Sequence, residues 1–445
     1  MGKGKESLRE VSDVALVYPY VYRHARSAAL FYPLGIAQLS ALLRARGLDT
    51  VVADLTFRGA EQVLDELEES RPRIVGVYIA LTMIENARTL AEAIRRRMPG
   101  TVLVCGGPMP TVRPSQFVGD FDIVFRGEAS SSFPRFCSDY IESGRLQNVL
   151  AHHGRYPGIY FHDRNGVSRT PARPARKNEL DRMPVPDLRD FDHGQYQRFW
   201  RERAGFAPAC IMTTYGCPYD CDFCSRPVFG RYFRLRDIES IFREIMAIRS
   251  QGYDGLWIAD DCFTLDLGHV RRFCQRMIRD GLRMTWTCLS RAERMPERDI
   301  DLMKRAGCRK VFFGLESGSN EVLKLMNKHT TVESATEAVN LFSEHGIETA
   351  GFFMVGYPGE TSETIETTLE WALSLPLDEI SFTTPVPLPG TRLYKRVCGI
   401  HSNFDWRYEN ENRMTYQSEF DESYLHRRIE ETYERFSARK RPARA

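Results

Sequence analysis

The sequence predicts an α/β protein: an N-terminal doubly wound, Rossmann-like parallel sheet, then a partial (β/α)6 barrel, then a small helical C-terminal region. Three observations carry this. Short apolar runs alternate with helical periodicity through residues 1–145. The alternation restarts at Ala209 and continues through six strand–helix units within residues 209–397. Residues 398–445 then turn mixed and charged, with one helical pattern near the end. Between the two series, residues 146–208 read as a linker, because the Pro- and Arg-rich run 170–177 and the extended 183–186 show no periodicity.

In the first series the strand candidates are residues 14–18, 50–55, 74–81, 102–105 and 123–125. Each is a brief, mainly apolar run, as suits strands covered on both faces. Pro33 opens a helix with Ile36, Leu39 and Leu43 on one face. Arg44 and Arg46 sit in its last turn, where the dipole favours cations, and Gly47 suits the left-handed position that ends it. A second helix, residues 85–98, is stopped by Pro99 and Gly100. Ligands of such sheets bind beyond the C-terminal strand ends, here residues 18–19, 80–82, 106–108 and 126–128.

In the second series the strand candidates are residues 209–213, 256–259, 285–289, 311–315, 350–355 and 379–383. Helical patterns at 238–249, 270–279, 296–305, 333–345 and 363–374 separate them. Pro296 fits a first helical position, with Glu297 and Asp299 in the first turn. Functional side chains of parallel barrels gather at the C-terminal strand ends. A last helix is expected over 424–436, followed by a solvated basic tail.

Over 445 residues, 61 basic and 59 acidic side chains nearly cancel, leaving a net charge of +2. That argues against a dedicated nucleic-acid binder, which would show a large basic excess. No stretch approaches 18 uninterrupted apolar residues, so no membrane span is expected. The charged start has no apolar segment behind it, and a cytoplasmic protein is expected. In that compartment eleven cysteines suggest metal ligands or core residues before disulfides. Cys105, Cys210 and Cys288 lie in apolar strand contexts and read as core, while Cys262 lies near a strand end that belongs to the site.

Three cysteines cluster. Cys217, Cys221 and Cys224 form a C-x3-C-x2-C run just after the first strand of the barrel series, where a site is expected. Three thiolates on one short loop can converge on one centre, and soft thiolates select iron–sulfur clusters or zinc. Structural zinc wants four protein ligands, and no fourth Cys or His stands nearby at finger spacing. Three core cysteines, or a zinc knuckle, remain the plainer alternatives.

This run, with Phe223 before its last cysteine, resembles the radical S-adenosylmethionine superfamily. The resemblance extends over residues 209–394. It includes Asp260 and Asp261 after the second strand, Ser290 and Arg291 after the third, and Gly314, Glu316 and Ser317 at the fourth. Gly351, Gly356, Gly359 and Glu360 belong to the fifth, and Pro385 and Gly390 follow the sixth. It implies that Cys217, Cys221 and Cys224 ligate three irons of a 4Fe–4S cluster and that the fourth iron chelates S-adenosylmethionine. Asp260 or Asp261 would then accept hydrogen bonds from the substrate ammonium or from a ribose, and Glu316 and Ser317 would reach the ribose and methionine groups. Arg291 would pair with a carboxylate, or with a structural partner. Residues 351–356 would let backbone approach the adenine closely.

The N-terminal half is similar to the cobalamin-binding domains that precede such barrels. Thr82, Gly106, Gly107, Pro108, Gly127 and Glu128, all at strand ends, are the candidate cobalamin contacts. The D-x-H-x-x-G signature of axial histidine ligation is absent, since His24 lacks both the Asp and the Gly. A mode without protein histidine on cobalt is expected.

The resemblance therefore implies a cobalamin-dependent radical methyltransferase. A 5′-deoxyadenosyl radical would abstract hydrogen from an unactivated carbon of a small biosynthetic intermediate, and methylcobalamin would deliver the methyl group. A flavodoxin- or ferredoxin-like electron donor is implied. The alternative within the same architecture is a non-methylating oxidative cyclase or ring-rearranging enzyme. A methylthiotransferase-like enzyme is disfavoured, because the N-terminal half holds only Cys105 and Cys137.

Overall fold

The computed structural model describes residues 11–22, 29–225, 228–397, 416 and 418–439. His24, Cys398, most of the aromatic stretch 404–416 and most of the basic tail lie outside them. The chain divides into two compact units, the first comprising Met1–Gly205 with Pro227–Phe229 and Phe242–Gln251, the second the remainder.

The first unit holds five parallel strands, β1 (Val14–Tyr18), β2 (Thr50–Asp54), β3 (Ile74–Tyr78), β4 (Val102–Gly106) and β5 (Ile123–Phe125). They are ordered β2-β1-β3-β4-β5, the flavodoxin-like variant of the doubly wound plan. In this order the chain reverses direction across the sheet between β1 and β3, and that switch point is where ligands of such sheets bind. Val17, Val77, Leu103 and Val124 from the strands pack with Val63, Leu90 and Ile94 from the flanking helices. The strands read as unbroken apolar runs because helices cover both faces.

The stretch expected to be a linker is structured. Residues 159–169 form a hairpin, β6 (Ile159–Asp163) and β7 (Gly166–Arg169), that pairs antiparallel with β5 and extends the sheet to seven strands. The helix His193–Ala204 follows, with Tyr196 donating a 2.6 Å hydrogen bond to the buried Asp54 at the end of β2. The hairpin was not legible because its four-residue second strand is largely exposed and lacks an apolar run.

The second unit is built on six parallel strands: β8 (Pro208–Ile211), β11 (Gly255–Ile258), β12 (Thr285–Arg291), β13 (Cys308–Glu316), β14 (Glu348–Met354) and β15 (Glu379–Thr383). They neighbour one another in sequence order, with helices between them, as a partial (β/α)6 barrel requires. Two short strands, β9 (Thr214–Tyr215) and β10 (Arg234–Leu235), pair antiparallel and close the base of the cysteine loop between them. The last helix, Glu422–Arg439, lies on the edge strand: Tyr433 accepts the backbone N–H of Phe382 at 2.9 Å, and Arg428 pairs with Glu366. An edge N–H is thereby satisfied within the chain.

Candidate active site

The cysteine loop leaves β9 through Gly216, whose φ of +78° is left-handed and whose Cβ would fall 2.5 Å from the Tyr232 carbonyl. Only glycine fits there. Cys217 is nearly buried, and Cys221 and Cys224 are partly exposed. A Cys217 N–H bond to Gly230 and a Cys224 N–H bond to Cys221, at 3.2 and 3.1 Å, fold the loop back on itself. None of the ten described cysteines is in a disulfide. Among the described residues no three Cys, His, Asp or Glu side chains come close enough to hold a single metal ion. Three thiols on one short loop are a soft donor set of the kind that holds an iron–sulfur cluster.

The loop is pinned from several elements. Asp222 donates its N–H to Met326 and accepts from Leu393, at 2.9 and 3.0 Å. Asp220 accepts from Asn327 at 3.0 Å and pairs with Arg392 at 2.9 Å. Phe223 packs against the apolar cluster of Val322, Met326, Met354, Tyr357 and Leu393. Asp260, at the end of β11, is fully buried. Its oxygens accept from the Thr213 N–H (2.6 Å), the Thr213 hydroxyl (2.5 Å) and the Thr214 N–H (3.1 Å). Burial pushes this carboxyl up to about 6 against those hydrogen bonds. Asp260, expected to bond a cofactor, is thus turned inward onto the strand that launches the loop, and Asp261 is the exposed member of the pair.

The third and fourth strand ends supply the charged groups. Arg291 is buried beneath the loop, its guanidinium 3.7 Å over the Tyr219 ring and its Nη1 3.7 Å from Cys221 Sγ. Burial alone would lower its pKa, but the bond to Glu293 and the nearby Cys221 and Tyr219 hold it above its ordinary value. Ser290 shares a 2.5 Å hydrogen bond with Thr264 and turns back to the Arg291 carbonyl. Glu316 ends β13 in the left-handed region at φ +66°, next to a register shift between Gly314 and Glu316. Its carboxylate meets Lys328 Nζ at 2.7 Å, both side chains being buried. A Cβ on Gly314 would stand 2.7 Å from that carboxylate and 2.8 Å from the ammonium, so glycine makes room for the pair. Asn327 and His329 also have positive φ, placing three of the chain's four described left-handed non-glycine residues around this site.

Ser317 is fully buried and shares a 3.1 Å hydrogen bond with Thr368, so it ties β13 to a helix and does not face outward. Gly356, at φ +83°, accepts from the Tyr416 hydroxyl at 2.7 Å. Its loop is held by Glu360, which accepts the Tyr357 N–H at 2.7 Å and is pushed up to about 7 by burial. Pro385 is buried just past β15. Lys328, Asp220 and Arg392 escaped the sequence reading. Lys328 follows a six-residue helix with no patterned face, and its charge gains meaning only where the fold sets it against Glu316.

In the first unit the β1 and β3 ends bring Tyr18 and Tyr78 within 5.5 Å, ring centre to ring centre, at the switch point. Burial raises the Tyr78 hydroxyl to about 12. Thr82 is exposed in the turn after β3. Gly107 (φ +109°) is required by the chain itself, since a Cβ would lie 3.0 Å from the Ile79 carbonyl, whereas the nearest atom to one on Gly106 is 3.7 Å away. Pro108 opens the short helix Pro108–Val112. The Gly127 N–H donates to the Thr111 hydroxyl oxygen at 2.9 Å, and the Glu128 carboxylate accepts from the Ala175 N–H at 3.0 Å, so both are engaged within the unit. The strand-end segments 18–22, 54–58, 79–83, 106–112 and 126–130 contain no histidine. A switch point flanked by aromatic rings suits a large flat ligand that takes no imidazole from these strand ends.

Comparison with known proteins agrees with this division. Residues 211–372 match the family model of the radical SAM superfamily, and residues 24–136 that of the B12 binding domain. The chain is 28% identical to an uncharacterized methyltransferase of Pyrococcus horikoshii, over 84% of this chain and 81% of that protein. It is 27% identical to the anaerobic magnesium-protoporphyrin IX monomethyl ester cyclase of Rubrivivax gelatinosus, over 95% and 77%. Its fold is similar to that of the radical S-adenosylmethionine methyltransferase TsrM from Kitasatospora setae, solved with cobalamin and a [4Fe-4S] cluster, with a TM-score of 0.76, 24% identity, and 87% and 78% of the two chains covered.

Proposed function

Since this chain is a radical S-adenosylmethionine enzyme with an N-terminal B12-binding domain, we propose that it methylates an unactivated carbon of a small molecule. When bound, the 4Fe–4S cluster with S-adenosylmethionine supplies radical chemistry and cobalamin supplies a methyl carrier. The chain's own work is to hold, orient and exclude water. Cys217, Cys221 and Cys224 would ligate the cluster from a loop braced by Asp260, Asn327 and Arg392. The buried pair of Lys328 and Glu316 presents one cation and one anion, 2.7 Å apart, beside that loop, and Phe223 lies 5.8 Å from the ammonium. Such a pair complements the carboxylate and ammonium of a zwitterionic amino-acid head. Asp261, exposed at the β11 end, would meet the ribose. The aromatic switch point of the first unit would receive the corrinoid, with no imidazole from the parallel strand ends beside it.

The observation that carries the reading is the cysteine loop with buried charges converging on it from three strand ends. A one-electron donor of flavodoxin or ferredoxin type completes the reaction. The test is incubation of reduced holoenzyme with methyl-labelled S-adenosylmethionine and a small-molecule extract of its host. Label in a new product alongside 5′-deoxyadenosine is expected. 5′-Deoxyadenosine without labelled product would favour the second reading, a cyclase or ring-rearranging oxidase. That reading is supported by the similarity to the Rubrivivax cyclase along 95% of the chain.

A further inference from the structure

We propose that Arg291 sets the reduction potential of the cluster held by Cys217, Cys221 and Cys224, by donating an N–H to the sulfur of Cys221. The inference rests on the reading of the cysteine loop as a cluster site.

Four of the five guanidinium N–H groups have partners within the fold. Nη1 points to Cys221 Sγ at 3.7 Å, and Nε donates to Glu293 at 2.7 Å. Nη2 donates to the backbone carbonyls of Lys328 and His329, and the plane lies on the Tyr219 ring. These contacts leave no pair of parallel N–H groups for a bidentate grip on the cofactor carboxylate that a strand-end arginine suggests from sequence alone. They also fix one orientation, which a lysine's single ammonium would not reproduce. Reducing the cluster adds one electron from the carrier protein and no proton, so negative charge grows on iron and sulfur. A buried cation that donates a hydrogen bond to a ligand sulfur favours the more negative state and raises the potential.

The other charges facing the loop are largely answered within the fold: Lys328 by Glu316, and Asp220 by Arg392. Glu293 is the opposing term. Its carboxylate accepts from both Arg291 and the Tyr219 hydroxyl, the latter at 3.0 Å, and so offsets part of the guanidinium charge. Glu293 is half exposed, whereas Arg291 is buried, so the cation is the less screened of the two.

The experiment is an EPR-monitored redox titration of the full-length, anaerobically reconstituted protein, with iron and sulfide quantified first. Wild type, Arg291→Gln and Glu293→Gln are compared. Arg291→Gln is expected to move the midpoint to more negative potential by about tenfold in the oxidised-to-reduced ratio, about 59 mV for one electron. Glu293→Gln is expected to move it the other way. Wherever Arg291→Gln retains its cluster, an unmoved or more positive midpoint overturns the proposal. If that variant does not hold a cluster, Glu293→Gln decides: a positive shift upholds the proposal and any other result overturns it. A wild type without iron overturns the cluster reading and this inference with it, whereas full iron with an unmoved Arg291→Gln midpoint overturns this inference alone.

Discussion

Lys328 and Glu316 show how much a single pair can weigh. Both side chains are buried, and their 2.7 Å contact is made across twelve residues of chain. Removing one partner leaves an uncompensated charge in a low-dielectric site, which costs about 3–5 kcal/mol. Lys328→Met is therefore expected to lower the thermal unfolding transition of the apoprotein markedly. The Lys328→Met/Glu316→Gln double variant should recover most of that loss, and a double-mutant cycle in differential scanning calorimetry reads both. If the two single losses simply added, the pair would not be coupled. At the other strand-end cluster, Gly107→Ala forces a left-handed φ on a side chain that meets the Ile79 backbone at 3.0 Å. A cost of about 1–3 kcal/mol is expected, against about 0.5 kcal/mol or less for Gly106→Ala, whose Cβ meets nothing nearer than 3.7 Å. Equal melting temperatures for the two variants would contradict this account. The two neighbouring glycines are alike in the sequence, and only their backbone geometry separates them.

Two buried carboxyls brace the elements that carry the site. Asp260 ties β11 to the start of the cysteine loop, and Glu360 closes the loop after β14. In both, burial raises the pKa more than hydrogen bonding lowers it. The folded state therefore keeps a proton that the unfolded chain releases near 4.5 for Glu360 and near 3.8 for Asp260. The associated stability is full below those values and is lost as pH rises through about 7 and about 6 respectively. Glu360→Gln should flatten the decline in apoprotein stability between about 4.5 and about 7, measured as melting temperature against pH. A slope as steep as wild type across that window would show that another group titrates there. The acidic pair at 260–261 was visible as a candidate in the sequence, and the helix–strand alternation around it was read within a few residues. Which of the two acids faces inward was not visible, because adjacent residues leaving a strand are separated only by the turn that follows.

For the whole molecule, the cysteine loop and the doubly wound sheet lie in different compact units. Replacing Cys217, Cys221 and Cys224 with alanine should therefore abolish iron and sulfide uptake and 5′-deoxyadenosine formation, while corrinoid still co-purifies near the wild-type ratio. Iron analysis and the corrinoid absorption spectrum on one sample check this. Iron retained in the triple variant would remove the basis of the proposed function. Both parallel sheets and the clustered cysteines could be read along the chain because apolar runs, helical periodicity and cysteine spacing are local properties, each contained in ten residues or so. The hairpin at 159–169, the inward turn of Asp260, and the partners of Arg291 and Lys328 became visible only in the folded molecule. Arg291 reaches a cysteine 70 positions away, and Tyr196 an aspartate 142 away. Whether a charge is buried, paired or exposed depends on which distant segment the fold lays against it, and no short window of residues contains that information.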